Sequence, residues 1–180
     1  MEKDNISIKT NTKGEYISSI IIKNNNLLLK NLFDMNIFQL VYTLNTEMFS
    51  DFNLNIKDES NANVYFLAKH FFEDFGVPQF YFSYNVNKKI SNNTIFFECE
   101  SVKLQQAVKY VEYMNLERLS IKCDIIESHT AVIDIVLKLD LQTIEIPTFV
   151  EKAIIQLIYK MILKVKEFIE NYHYKVLHND

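Results

Sequence analysis

The sequence predicts an α+β fold in which a curved antiparallel β-sheet of about six to eight strands packs on one long C-terminal helix. Three observations carry that expectation. Apolar residues alternate with polar ones at a period of two through most of the chain from Phe52 to Leu139. From Thr148 the period changes to alternating threes and fours and holds to Tyr172. The chain has only 2 Gly and 2 Pro, so the turns that open parallel doubly wound sheets are missing.

The elements follow in chain order. Two short alternating pieces, around Ile6 and Ile8 and from Tyr16 to Lys23, are joined through Asn11-Thr12-Lys13-Gly14. They fit a hairpin, or a frayed end followed by one strand. Between Leu27 and Met48, the residues Leu29, Leu32, Phe33, Ile37, Leu40, Val41 and Leu44 recur at helical steps and predict one helix or two short ones. Four strands follow, marked by Phe52/Leu54/Ile56, Val64/Phe66/Ala68, Phe80/Phe82/Tyr84/Val86 and Ile95/Phe97/Cys99. Polar partners on the other face predict a sheet buried on one side. Asn tolerates left-handed backbone. The clusters Asn24-Asn25-Asn26, Asn61/Asn63, Asn85/Asn87 and Asn92-Asn93 therefore read as turns.

Ser101 to Glu117 is ambiguous. Leu104, Val108, Val111 and Met114 suit a helix, whereas Tyr110, Val111, Tyr113 and Met114 suit a strand; the helical spacing is the better match. Beyond it a long hairpin is clear. Leu119, Ile121, Cys123 and Ile125 alternate with polar residues, as do Ile133, Ile135, Leu137 and Leu139, across the turn Glu127-Ser128-His129-Thr130. Pro147 then precedes Thr148, placed to N-cap a helix, with Glu151 completing a capping box. Ile154, Ile158, Met161, Val165, Phe168 and Tyr172 form one row, and Ile155, Ile162 and Ile169 a second. A stripe this wide must lie on something large and apolar, and only the sheet qualifies.

Composition excludes several functions. Gly14 and Gly76 stand alone, so GxGxxG, GxxxxGK[ST] and GxSxG are all absent. Dinucleotide-binding, P-loop and α/β-hydrolase chemistry fall with them. A net charge of −4 and a single Arg, Arg118, argue against nucleic acid as partner. The counts of 22 Ile, 19 Asn and 18 Lys match the AT-rich coding of a parasite, a virus or a low-GC bacterium. The polar start Met1-Glu2-Lys3-Asp4-Asn5 has no apolar segment behind it, and Ile154 to Val165 is too short and too often broken by polar residues to span a bilayer. One domain over residues 1–180, in the cytoplasm, is expected. Cys99 and Cys123 fit a reducing compartment.

No cluster asks for catalysis, a cofactor or a metal. His70 with Glu73 and Asp74 lacks the paired histidines of a zinc helix. His129 falls in a turn, and His173 and His178 in the tail. Cys99 and Cys123 occupy inward strand positions, where a thiol behaves as a small hydrophobe. Glu98/Glu100 and Asp134/Asp140 fall on polar strand faces. Lys152, Lys160, Lys164 and Lys166 read as the solvated outer face of the last helix, with at most a peripheral attraction to a membrane. Phe75-Gly76-Val77-Pro78 reads as a turn or as a gate.

The order of elements resembles the helix-grip fold of the START/SRPBCC superfamily. The likeness is carried best by RLSIKCDIIESHTAVIDIVLKLDLQTIEIPTFVEKAIIQLIYKMILKVKEFIENY, from Arg118 to Tyr172, which looks like the last hairpin and grip helix of such domains, including the lipid-binding VASt-type members. The resemblance implies a ligand cavity between sheet and helix, and non-enzymatic binding of an apolar small molecule or lipid. Its walls would be Phe82, Tyr84, Phe97, Ile121 and Ile135 from the sheet, with Ile154, Ile158, Met161 and Val165 from the helix. The alternative is a protein-protein interaction module, an adaptor or chaperone with a filled core. It would bind a partner or dimerise through the outward aromatics Tyr65, Phe71, Tyr81 and Phe96.

Overall fold

The computed structural model describes residues 2–11, 15–71, 73–76, 78–105, 111–140 and 148–172, except for the side chains of Phe75 and residues 148–151. In chain order the elements are β1 (Glu2–Lys3), β2 (Ile6–Thr10), β3 (Glu15–Lys23), α1 (Leu29–Leu32), α2 (Ile37–Leu44), β4 (Phe49–Ile56) and β5 (Asn61–Ala68). A 3-10 turn at Glu73–Phe75 leads to β6 (Gln79–Ser91), β7 (Thr94–Ser101), β8 (Val111–Tyr113), β9 (Leu116–Glu127), β10 (Thr130–Leu139) and α3 (Thr148–Asn171). The architecture is the expected α+β one. The described strands number ten rather than six to eight, because β1 and β8 are too short for periodicity to register.

The strands form one sheet in the order β1-β2-β3-β10-β9-β7-β6-β5-β4, with β8 added beside β6. The N-terminal pieces are a hairpin, with Ile6 opposite Ile20. The β1–β2 turn puts Asp4 and Asn5 at φ 56° and 58°, the left-handed pair a two-residue hairpin needs. The helical segment is two helices, because Asp34 Oδ1 accepts from the Asn36 N–H at 2.8 Å and turns the chain between them. This connection carries the chain from β3 to the far edge at β4, and β9–β10 later closes beside β3.

Two sequence expectations fail here. The helical reading of Ser101 to Glu117 is overturned among the described residues: β7 runs to Ser101, Val111–Tyr113 is strand and β9 starts at Leu116. β7 pairs with β6 only from Tyr84 onward, which leaves the β6 edge at Gln79–Tyr81 open. β8 fills that edge as the parallel partner of Gln79–Tyr81, and the Met114 N–H donates to Tyr81 O at 2.9 Å. Satisfying a buried backbone edge outweighs a weak helical spacing. The turns expected at Asn61/Asn63 and Asn85/Asn87 are strand instead. Asn61 faces Asn87 and Asn63 faces Asn85 across β5–β6, and their amides bond to each other. Cross-strand amide pairing removes the need for a turn. By contrast, Asn92-Asn93 does turn, with Asn92 at φ 54°.

The inward face carries Ile20, Ile22, Val64, Phe66, Val86, Ile95, Phe97, Cys123 and Ile133, all buried. α3, 24 residues long, packs on β2, β3 and α2. Its far end is clamped by Asn24, whose Nδ2 donates to Ile169 O at 2.5 Å and Tyr172 O at 2.9 Å. His129 holds Asn24 in turn, its Nδ1 lying 3.0 Å from Asn24 O and 2.8 Å from Leu27 O. Phe168 and Tyr172 are exposed and their rings meet at a tilt, centroids 5.6 Å apart. The deeper side of the last turns is the row of Ile162, Lys166 and Ile169, which leaves Phe168 on the outer flank. The capping box at Thr148 and Glu151 involves side chains outside the described set.

Candidate functional site

Strand periodicity places alternate side chains of β3, β10, β9, β7 and β6 on the sheet face that α3 covers. Register then aligns them across the sheet: Ser18 opposite Ile135, Ile135 opposite Ile121, and Ile121 opposite Phe97. α3 lies over this rung without filling it. Between helix and sheet lies a cavity of about 370 Å³. All nine side chains chosen from the sequence stand on its wall: Phe82, Tyr84, Phe97, Ile121, Ile135, Ile154, Ile158, Met161 and Val165.

Sequence reasoning missed the β3 contribution of Tyr16, Ser18, Ile20 and Ile22, and the roof formed by Phe33, Ile37, Phe38 and Val41. The β3 signal was present but two-sided, since Ile17 and Ile21 are equally apolar and prove to be exposed. The helical spacing in α1–α2 showed an apolar face but not what it faced.

The wall is apolar with few polar points. Ser18 and Tyr84 are buried, and neither hydroxyl makes a hydrogen bond among the described residues. Burial, with a smaller contribution from Cys99, holds the Tyr84 phenol well above its usual pKa, so it stays neutral. Tyr84 itself is fixed by edge-on packing against Phe38 at 6.1 Å and by Phe66 at 6.3 Å. Burial pushes both thiols up to about 12. Cys123 lines the cavity at 1% exposure. A thiol held protonated is a poor nucleophile.

The other polar candidates lie elsewhere. Asp134 accepts from Ser19 Oγ at 2.6 Å, Asp140 from Asn115 Nδ2 at 3.2 Å, and Glu98 pairs with Lys89 at 2.6 Å. His70 Nδ1 sits 3.8 Å from Glu73 Oε2 on the surface, and no metal-binding group of side chains occurs among the described residues. His173 and His178 fall outside the described residues. Gly76 adopts φ 70° and closes the 3-10 turn, its N–H donating to Glu73 O at 2.9 Å. Val77 is outside the described set, while Pro78 reaches the cavity wall.

Two expectations about exposure need correction. Tyr81 is only 3% exposed, because Tyr65 at 5.9 Å and Tyr113 at 5.4 Å cover it on the far face of the sheet. Aromatic rings gain by clustering there, and Tyr81 is the outward ring that this clustering buries. Tyr65 and Phe96 are half-buried, and Phe71, the exposed one, also touches the cavity. Lys166 does not lie on the outer helix face: it is 6% exposed and lines the cavity. Lys152, Lys160 and Lys164 are exposed as expected, with Lys164 paired to Glu47. No helix among the described residues is long and apolar enough to cross a membrane.

No protein-family model matches the sequence, and no curated protein matches it. Solved structures do. The human StarD13 (DLC2) lipid transfer and protein localization domain aligns with a TM-score of 0.70 at 12% identity, over 96% of this chain and 88% of that one. Human StAR-related lipid transfer protein 5 aligns with a TM-score of 0.69 at 11% identity, over 94% and 84%. A STAR-related lipid transfer protein from Xanthomonas axonopodis aligns at 0.57 and 10%, over 92% and 99%. At such identities the likeness concerns backbone architecture: the chain has the helix-grip fold seen in START domains.

Proposed function

We propose that this protein is a non-enzymatic binder of one apolar small molecule or lipid, held between the sheet and α3. The observation that carries the reading is the cavity of about 370 Å³, walled by apolar side chains from both layers. An apolar occupant gains by removing both its own surface and the apolar wall from water. The neighbouring structures are described as lipid transfer proteins, which supports the same reading.

The wall residues divide the work. Phe82, Phe97, Ile121 and Ile135 form the sheet side, and Ile154, Ile158, Met161 and Val165 close the helix side. The hydroxyls of Ser18 and Tyr84, which make no hydrogen bond among the described residues, supply the few polar contacts that orient a ligand in an apolar pocket. The protonated Cys123 thiol adds bulk to the wall and no reactivity.

Native mass spectrometry after mild purification tests the proposal. A bound mass of one apolar molecule per chain, released by organic extraction, is expected. A bare chain that also takes up nothing from an apolar lipid mixture would remove the reading.

A further inference from the structure

Lys166 breaks the apolar inward row of α3, standing between Ile162 and Ile169 on the cavity wall. Burying an ammonium costs several kcal/mol unless it is paired. Its partner is Glu170, one turn further on. The order Lys before Glu is the weaker one on a helix, so the pair adds little to helix stability. Glu170 is also anchored separately, since its Oε1 accepts from the Lys23 backbone N–H at 3.2 Å. The ammonium carries three donors and uses one of them on Glu170, with no other acceptor among the described residues. β3, on which α3 packs, adds the Ser18 hydroxyl, without a hydrogen bond among the described residues, to the same cavity at 2% exposure.

We propose that the ligand carries an anionic headgroup, the carboxylate of a single-chain monocarboxylic acid, seated on Lys166 with its chain among the apolar walls. The inference rests on the cavity-binding function proposed above. The two free donors of Lys166 meet the carboxylate oxygens, and Glu170 stays held by the Lys23 N–H when Lys166 turns to the ligand. A volume of about 370 Å³ is near the lower end of ligand cavities, about 300–1,000 Å³, and favours one chain over two. Among the described residues Lys69 is the other cation on the wall, but it is exposed just past β5 and serves as the control.

The test compares cis-parinaric acid with its methyl ester by fluorescence titration of the delipidated full chain. Wild type should bind the acid roughly 10-fold to 100-fold more tightly, the range of a hydrogen bond to a charged group. Lys166→Met should erase that preference by weakening only the acid, and its unchanged ester binding shows that the cavity is intact. Glu170→Gln, which removes the competing carboxylate, should keep or increase the preference, and Lys69→Met should keep it. Equal affinity of wild type for acid and ester overturns the headgroup assignment and leaves the apolar cavity standing. Equal loss of both ligands in Lys166→Met also overturns it, since a merely structural lysine would do that. Failure of wild type to bind either ligand removes the cavity-binding function itself.

Discussion

Replacing Ile135 with Phe should stabilise the ligand-free protein. Ile135 sits on β10 between Ser18 and Ile121, and its side chain faces the cavity. Phe has three more side-chain carbons than Ile. At about 0.8 kcal/mol per buried carbon they contribute about 2 kcal/mol if they enter empty space. For a chain of this size that raises Tm by about 4–8 °C. In a filled core the same change overpacks and costs about 1–3 kcal/mol, so the sign alone decides between a cavity and a packed interior. Ile95 is the comparison site, since it is buried in the core and is not on the cavity wall. Ile95→Phe should destabilise by about 1–3 kcal/mol. Guanidinium unfolding of organically extracted, refolded protein reads both variants. A loss of stability in Ile135→Phe equal to that in Ile95→Phe would refute the cavity and favour the interaction module with a filled core.

Asn24→Ala should cost about 2–4 kcal/mol, because it removes the amide that satisfies Ile169 O and Tyr172 O and the Oδ1 that accepts from the Asn26 N–H. Hydrogen exchange should show the last turn of α3 opening first, and unchanged protection there would contradict the clamp. Gly76→Ala should cost only about 1–2 kcal/mol, the penalty of left-handed backbone, since an added Cβ meets nothing within 4 Å; a loss well above that in urea unfolding would mean an unseen clash. Burial raises the Cys123 thiol from 9.0 to about 12, so its proton is kept by the folded chain and lost by the unfolded one between those values. Stability is unaffected below pH 9 and then falls by about 1.4 kcal/mol per pH unit from this group. Urea midpoints measured between pH 9 and 10.5 should fall less steeply in Cys123→Ala than in wild type, and equal slopes would contradict the burial effect.

The fold was legible where one periodicity ran long. Phe97, Ile121 and Ile135 could be placed on one wall because each stands in a strand that alternates over eight or more residues, and the grip helix because its apolar rows persist for 24 residues. Legibility failed where a tertiary partner decided the outcome. Val111–Tyr113 is strand because β6 has an open edge there, which no local pattern shows. Asn61 and Asn87 are strand because each finds the other, although either alone reads as a turn residue. Lys166 was misplaced because charge normally marks the wet face of a helix. The inward row through Ile162 and Ile169 held the contrary signal, and only the depth of Ile169 makes it compelling.

The most direct measurement is calorimetric titration of the delipidated chain with a single-chain apolar ligand at several temperatures, in wild type and in a double variant, Ile121→Phe with Ile135→Phe. The two residues are cross-strand neighbours on the cavity wall, so together they occupy the space the ligand would take. Saturable binding of one molecule per chain with a negative heat-capacity change, abolished in the double variant, is expected. Absence of saturable binding, or binding that survives in a folded double variant, would contradict a ligand held between the sheet and α3.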